Sequence, residues 1–151
     1  MYPYIVLLLA LFSVSSAYGQ DKLPRPLNTV DIVAGSYIGT LPCADCPGIQ
    51  SELELLYVND SLGQYRLRSK YLGKGNGNIT AFNEGEWIVV KDAYEGKLST
   101  YVLLDYDDQE KIKYYILKDE NNLVPLDAEK KPLTATKEVL LHKQAKPLIE
   151  N

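Results

Sequence analysis

Cys43-Ala44-Asp45-Cys46 holds both cysteines of the 151-residue chain. Two thiols at this spacing can close a disulfide, exchange electrons or bind a soft metal, and their surroundings decide which. A redox-catalytic CxxC opens a helix, whose N-terminus lowers the thiol pKa. Here Pro47 and Gly48 follow, then strand-like alternation, and that context argues against redox catalysis. A structural zinc site needs four ligands, and His142 is the only histidine. Monovalent copper needs fewer ligands and prefers thiolates. Cys43 and Cys46 are therefore candidate Cu(I) ligands, with copper as the candidate cofactor. The other reading is a Cys43–Cys46 disulfide that shapes its loop, the state an oxidising compartment favours. Both readings stand at this point.

Other polar clusters point to less. Gly73-Lys-Gly-Asn-Gly-Asn78 lacks the Lys-Ser or Lys-Thr ending and the following helix of a phosphate loop. It reads as a connecting loop. Asp105, Asp107, Asp108 and Glu110 lack the glycine and terminal glutamate of a calcium-binding EF-hand, and read as a solvated hairpin turn. No Ser–His–acid set can be built around His142, so no catalytic residue is assigned and no enzyme activity is expected. The chain carries 16 basic and 20 acidic residues, a net charge of −4. Nucleic-acid binding needs a basic excess, so nucleic acid is excluded as a partner.

These residues need a scaffold and a compartment. Residues 4–12, Tyr-Ile-Val-Leu-Leu-Leu-Ala-Leu-Phe, are too few for a transmembrane helix, which needs about 20 residues. They match the apolar region of a secretory signal, and Ala17 and Gly19 suit a cleavage site. A signal peptide over 1–19 is expected, with cleavage before Gln20. No cysteine stands at that point, so an exported protein without a lipid anchor is expected, in the periplasm or cell envelope. No later segment is long and apolar enough to span a membrane.

Residues 20–34, with Pro24 and Pro26, read as an extended lead-in. From Ser36 the pattern has period two. Tyr37, Gly39 and Leu41 mark a first strand. Ile49 to Tyr57 and Tyr65 to Tyr71 make a hairpin. A pairing about Ser61 sets Tyr57 opposite Tyr65 and Leu55 opposite Leu67, with Glu54 opposite Arg68 and Glu52 opposite Lys70. Ile79–Phe82 and Glu86–Lys91 read as short strands joined by Asn83–Gly85. Leu98–Tyr106 and Ile112–Lys118 make a hairpin with two apolar faces, and a pairing about Gln109 sets Asp105 opposite Lys113. Val102, Leu104, Tyr114 and Ile116 then share one face. Leu123–Leu126 and Val139–Lys143 complete eight or nine strands, with no convincing helix. Consecutive hairpins in this number predict a small lipocalin-like, up-and-down antiparallel β-barrel over 35–144, since closure removes edge strands. Residues 145–151 form a tail. A barrel of this size is filled by side chains or holds one small ligand. A carrier of a small apolar ligand, with the CxxC as a structural staple, is thus the second functional reading.

The string Gly35-Ser-Tyr37-Ile-Gly39-Thr-Leu41-Pro42-Cys43-Ala44-Asp45-Cys46-Pro47-Gly48-Ile49, followed by Leu53 and Leu55, resembles the N-terminal domain of the NlpE family of bacterial copper-resistance and envelope-stress lipoproteins. Tyr71-Leu-Gly-Lys74, Gly85-Glu-Trp87 and Leu123-Val-Pro-Leu126-Asp127 follow in the same order. The resemblance spans about residues 34–143. It implies a lipocalin-like barrel, a role in copper handling, and signalling to an envelope-stress sensor, with Cys43 and Cys46 as the metal or redox positions. Gln20 stands in the region where lipidated members carry a cysteine, and the second domain that longer members add after the barrel is not expected here. Both departures count against sensor signalling.

Overall fold

The computed structural model describes residues 28–73 and 78–145. The leader 1–19, residues 20–27 of the lead-in, residues 74–77 of the glycine-rich loop and residues 146–151 of the tail lie outside them. Eight antiparallel strands follow in chain order and close into a barrel when β8 returns to β1. They are β1 (Gly35–Leu41), β2 (Ile49–Tyr57), β3 (Leu62–Tyr71), β4 (Ile79–Tyr94), β5 (Lys97–Leu104), β6 (Lys113–Asp119), β7 (Asn122–Leu126) and β8 (Leu141–Gln144). Among the described residues, no helix is long and apolar enough to cross a membrane.

A short helix, α1 (Thr29–Val33), stands where the sequence predicts extended chain and no helix. Five residues are too few to show a helical period. A reciprocal cap sustains them: Asn28 Oδ1 accepts from the Asp31 N–H at 2.9 Å, and Asp31 Oδ2 accepts from the Asn28 N–H at 3.1 Å. Val30 and Val33, on one helix face, are buried against the barrel core. The last carbonyls find partners in the barrel. Tyr37 Oη donates to Val33 O at 2.7 Å, and Lys143 Nζ to Ile32 O at 2.7 Å.

The interior is filled. Trp87, Tyr37, Leu53, Val102, Leu104, Leu123 and Leu141 are each 0% exposed. A void the size of a water would leave accessible surface on the side chains lining it, and these have none. Bulky side chains occupy the space among these residues that the small apolar ligand of the carrier reading would need. Trp87 is the largest of them. Its Nε1 donates to Gln64 O at 3.0 Å and reaches Leu56 O at 3.2 Å. The indole lies over Gly63, where a Cβ would stand 2.2 Å from Nε1 and 2.3 Å from Leu56 O. Gly39 makes similar room beside β8, since a Cβ there would stand 2.3 Å from Leu140 O.

Three predicted pairings are corrected. In the β2–β3 hairpin Leu55 pairs with Tyr65 and Leu53 with Leu67, with Glu54 opposite Arg66 and Glu52 opposite Arg68. The register differs by two residues from the pairing about Ser61. A two-residue slip keeps every side chain on its face and keeps opposite charges across the strands, so patterning cannot detect it. The turn decides: Asn59 Oδ1 accepts from the N–H groups of Ser61 and Leu62 at 2.9 and 3.1 Å and closes the hairpin early. The paired carboxylates are buried, and Arg68 Nε donates to Glu52 Oε2 at 2.7 Å.

In the β5–β6 hairpin Leu104, not Asp105, faces Lys113, and Val102 faces Tyr115. This one-residue slip exchanges the faces of β6. Val102, Leu104 and Tyr115 point into the barrel core. Tyr101 and Ile116 point outward, into a second cluster with Val124 and Leu126. Both faces of this hairpin are apolar because both are covered. On the outside Leu140 and the segment after β7 pack across it, and Lys130 Nζ sits 5.4 Å from the Tyr101 ring centre and 5.5 Å from that of Tyr114.

The third correction concerns β4. Ile79–Phe82 and Glu86–Lys91 belong to one 16-residue strand. Its first half pairs with β3 and its second half, from Trp87, with β5. The turn-forming residues Asn83 and Gly85 are held extended by the β3 ladder, opposite Leu67 and Tyr65.

Two measurements test this packing. Gly63→Ala is expected to cost about 2 kcal/mol by driving a methyl into the Trp87 indole and backbone. Urea unfolding followed by the fluorescence of the single tryptophan reads it, and an unchanged midpoint would contradict the contact. The second is alkaline titration. Burial raises the phenol pKa of Tyr37, Tyr65 and Tyr115, with the Asp119 charge adding at Tyr37 and the hydrogen bond to Asp105 adding at Tyr65. The folded chain keeps these protons above about pH 10, where the unfolded chain releases them. The stability they contribute is complete below that pH and is lost as pH rises beyond it. Tyrosinate absorbance from these three should therefore appear together with the change in Trp87 emission. Full tyrosine ionisation near pH 10 with unchanged emission would refute this.

Candidate functional site

Leu41 at the end of β1 pairs with Ile49 at the start of β2. Residues 42–48 bridge them at the end of the barrel remote from α1. Pro42 and Pro47 flank the loop and resist its extension as a ladder. Its base is tied to the next hairpin: Gly48 is buried, and its carbonyl accepts from the Leu72 N–H at 3.0 Å. The loop tip, Ala44-Asp45, is exposed, and both cysteines are half-buried.

Cys43 and Cys46 form a disulfide, with an S–S distance of 2.07 Å and Cα atoms 5.3 Å apart. Asp45 Oδ1 lies 3.4 Å from Cys43 Sγ. One ligand atom from each of Cys43, Asp45 and Cys46 falls within 4.8 Å of the others. Sequence reasoning picked out both cysteines and missed Asp45, which their shared loop brings to the same place. His142 is not among these ligand atoms: it lines a groove beside the loop, exposed, with Nδ1 2.6 Å from Asn122 Oδ1. The acidic hairpin turn is likewise separate, with Asp105 accepting from Tyr65 Oη at 2.6 Å and Asp108 from Lys111 Nζ at 2.6 Å.

The donor set has two states. As a disulfide it offers no thiolate and no strong metal ligand. Reduction by two electrons and two protons yields two thiols, and their thiolates are soft donors suited to Cu(I). The Asp45 carboxylate is a hard donor and suits that ion poorly. Beside the loop runs a surface groove of about 840 Å³, bounded by Ile38, Leu41, Pro42, Pro47, Val139 and Leu140.

Removing the disulfide should leave the barrel folded, since the bond closes a short loop outside the core. The chain-entropy contribution of so small a ring is about 2 kcal/mol. A Cys43→Ser, Cys46→Ser double variant is expected to lose no more than that in urea unfolding. Thiol counting on native protein should find none before mild reduction and two after it, without denaturant. A disulfide that resists reduction until the barrel unfolds would contradict its placement in a half-buried loop outside the core.

The profile of the NlpE N-terminal domain matches residues 37–136 of this chain. The structure is similar to that of a candidate lipoprotein from Shewanella oneidensis, 28% identical with a TM-score of 0.54, over 79% of this chain and 97% of that one. It is also similar, with 25% identity and a TM-score of 0.41, to the Cpx pathway activator NlpE from Escherichia coli, over 70% of this chain and 48% of that one. This chain therefore spans about half the length of that protein. No curated protein matches it.

Proposed function

Since this chain belongs to the family of the NlpE N-terminal domain, we propose that it is an exported envelope protein whose Cys43–Cys46 loop responds to copper or thiol redox state. One observation carries this reading. The exposed loop presents two sulfurs and the Asp45 carboxylate within 4.8 Å of one another, on a barrel whose interior is filled. The chemistry is left at the rim. In an oxidising compartment the loop rests as the disulfide. A thiol reductant opens it, and the dithiol takes Cu(I) with release of the thiol protons. Cys43 and Cys46 hold the ion, and Asp45 lies within reach as a hard oxygen donor. The partner this reading calls for is an envelope-stress sensor that distinguishes the closed loop from the opened one.

Cu(I) competition titration of the reduced chain tests the proposal. The expected result is one ion per chain, binding that weakens as pH falls because protons compete for the thiolates, and loss of binding in the Cys43→Ser, Cys46→Ser variant. Asp45→Asn should leave the affinity within about threefold, because a carboxylate suits Cu(I) poorly. Equal uptake by the reduced chain and the double serine variant would overturn the copper reading.

A further inference from the structure

The barrel closes unevenly. β3 and β4 pair without interruption from Leu62 and Ile88 to Tyr71 and Ile79. On the other side of β4 the ladder to β5 begins only at Trp87, with one further bond from the Asp105 N–H to Glu86 O at 2.9 Å. Residues 79–85 therefore have a partner strand on one side alone, among the described residues.

The direction of the free groups follows from that last bond. In an antiparallel strand the N–H and C=O of one residue point to the same edge, and edges alternate along the chain. Glu86 faces the β5 side. Glu84, Phe82 and Thr80 must face it too, beyond the point where β5 ends. Their backbone donors and acceptors form an open strand edge, which is a template for another strand. Phe82 is 70% exposed and Ile79 51% exposed, so this edge also holds apolar surface that the fold leaves in water.

We propose that this edge of β4 pairs antiparallel with the same edge of a second copy of the chain, in a register centred on Phe82. The segment is self-complementary about that residue. Phe82 meets its copy, Thr80 meets Glu84 of the copy, and Glu84 meets Thr80 of the copy. The three edge-facing residues of each chain then exchange about six backbone hydrogen bonds across a two-fold axis. The side chains agree with the backbone. The two Phe82 rings lie side by side on the outer face, where aromatic pairs are favourable across strands. Arg68 stands behind each ring and Arg66 behind each Glu84. No like charges are set directly opposite one another. A shift of two residues would instead set Phe82 opposite Glu84 or Thr80 of the copy, so that the two rings no longer face one another. Seven residues per chain is a small contact, at the lower end of specific interfaces, so the dimer is reversible and depends on concentration.

Sedimentation of the full chain over a wide concentration series tests the proposal, with Trp87 emission and thermal unfolding reporting that each variant is folded. The wild-type chain should show a monomer–dimer equilibrium. Thr80→Lys places a lysine opposite Glu84 of the copy, twice per dimer, and should tighten association about tenfold. Thr80→Glu places like charges there and should weaken it about tenfold. Phe82→Pro removes the edge N–H and the ring while leaving the β3 ladder intact, because that N–H points away from β3, and should abolish the dimer. A chain that stays monomeric throughout overturns the proposal. So does a dimer that the two Thr80 variants fail to move in opposite directions, or an edge that pairs with a different extended chain in preference to its copy.

Discussion

The enclosed space around Trp87 is the constraint on which the rest depends. Eight strands leave an interior that side chains must fill, and here the largest of them sits where β4 leaves β3 and joins β5. An indole buried at that point needs an acceptor for its N–H. The carbonyls of Gln64 and Leu56 supply one. It also needs a neighbour without a side chain, which is Gly63. Leu53, Leu104, Leu123 and Leu141 share its buried cluster, to which α1 adds Val30 and Val33. A barrel filled in this way is a rigid support, and its chemistry has to lie on the outside.

What lies outside is ordered by short connections. The segment after β7 crosses the outer face of β5–β6 and buries Tyr101, Ile116, Val124 and Leu126 in a second cluster. Leu126 and Pro132 bridge within it. At the end remote from α1, the loop of residues 42–48 is anchored through the Gly48 carbonyl while its tip stays in solvent. An anchored base and an exposed tip let Cys43 and Cys46 change chemical state without disturbing the core.

Much of this was legible from residue types. Tyr37, Leu53, Leu55, Tyr65 and Leu67 announced their buried face through period two, and all five are buried. The Pro-Cys-Ala-Asp-Cys-Pro-Gly string marked both the candidate site and the family. Pairing partners were less legible. Leu55 lies opposite Tyr65 because Asn59 tightens a turn, and the alternation of side chains is the same in either register. The β5–β6 hairpin was harder still. With two apolar faces it offered no polar residue to mark the outside, and its register follows from the turn at Asp105, where the backbone takes a φ of 50°. Asn83 and Gly85 suggested a break in β4 because local propensity cannot see the β3 strand that holds them extended.

The sequence by itself determined an all-β chain, the faces of most strands, the CxxC loop and the family to which it belongs. These are local properties: residue type, spacing and period survive without knowledge of neighbours. Tertiary structure alone decided which residues face one another, that α1 joins the buried cluster, that the interior is filled, and that Asp45 shares the space of the two sulfurs. It also decided that half of β4 runs past the end of β5. A period-two pattern is unchanged when one strand slides by two residues along another. Register, closure and the emptiness of a core are set only when turns, glycines and bulky side chains meet in space.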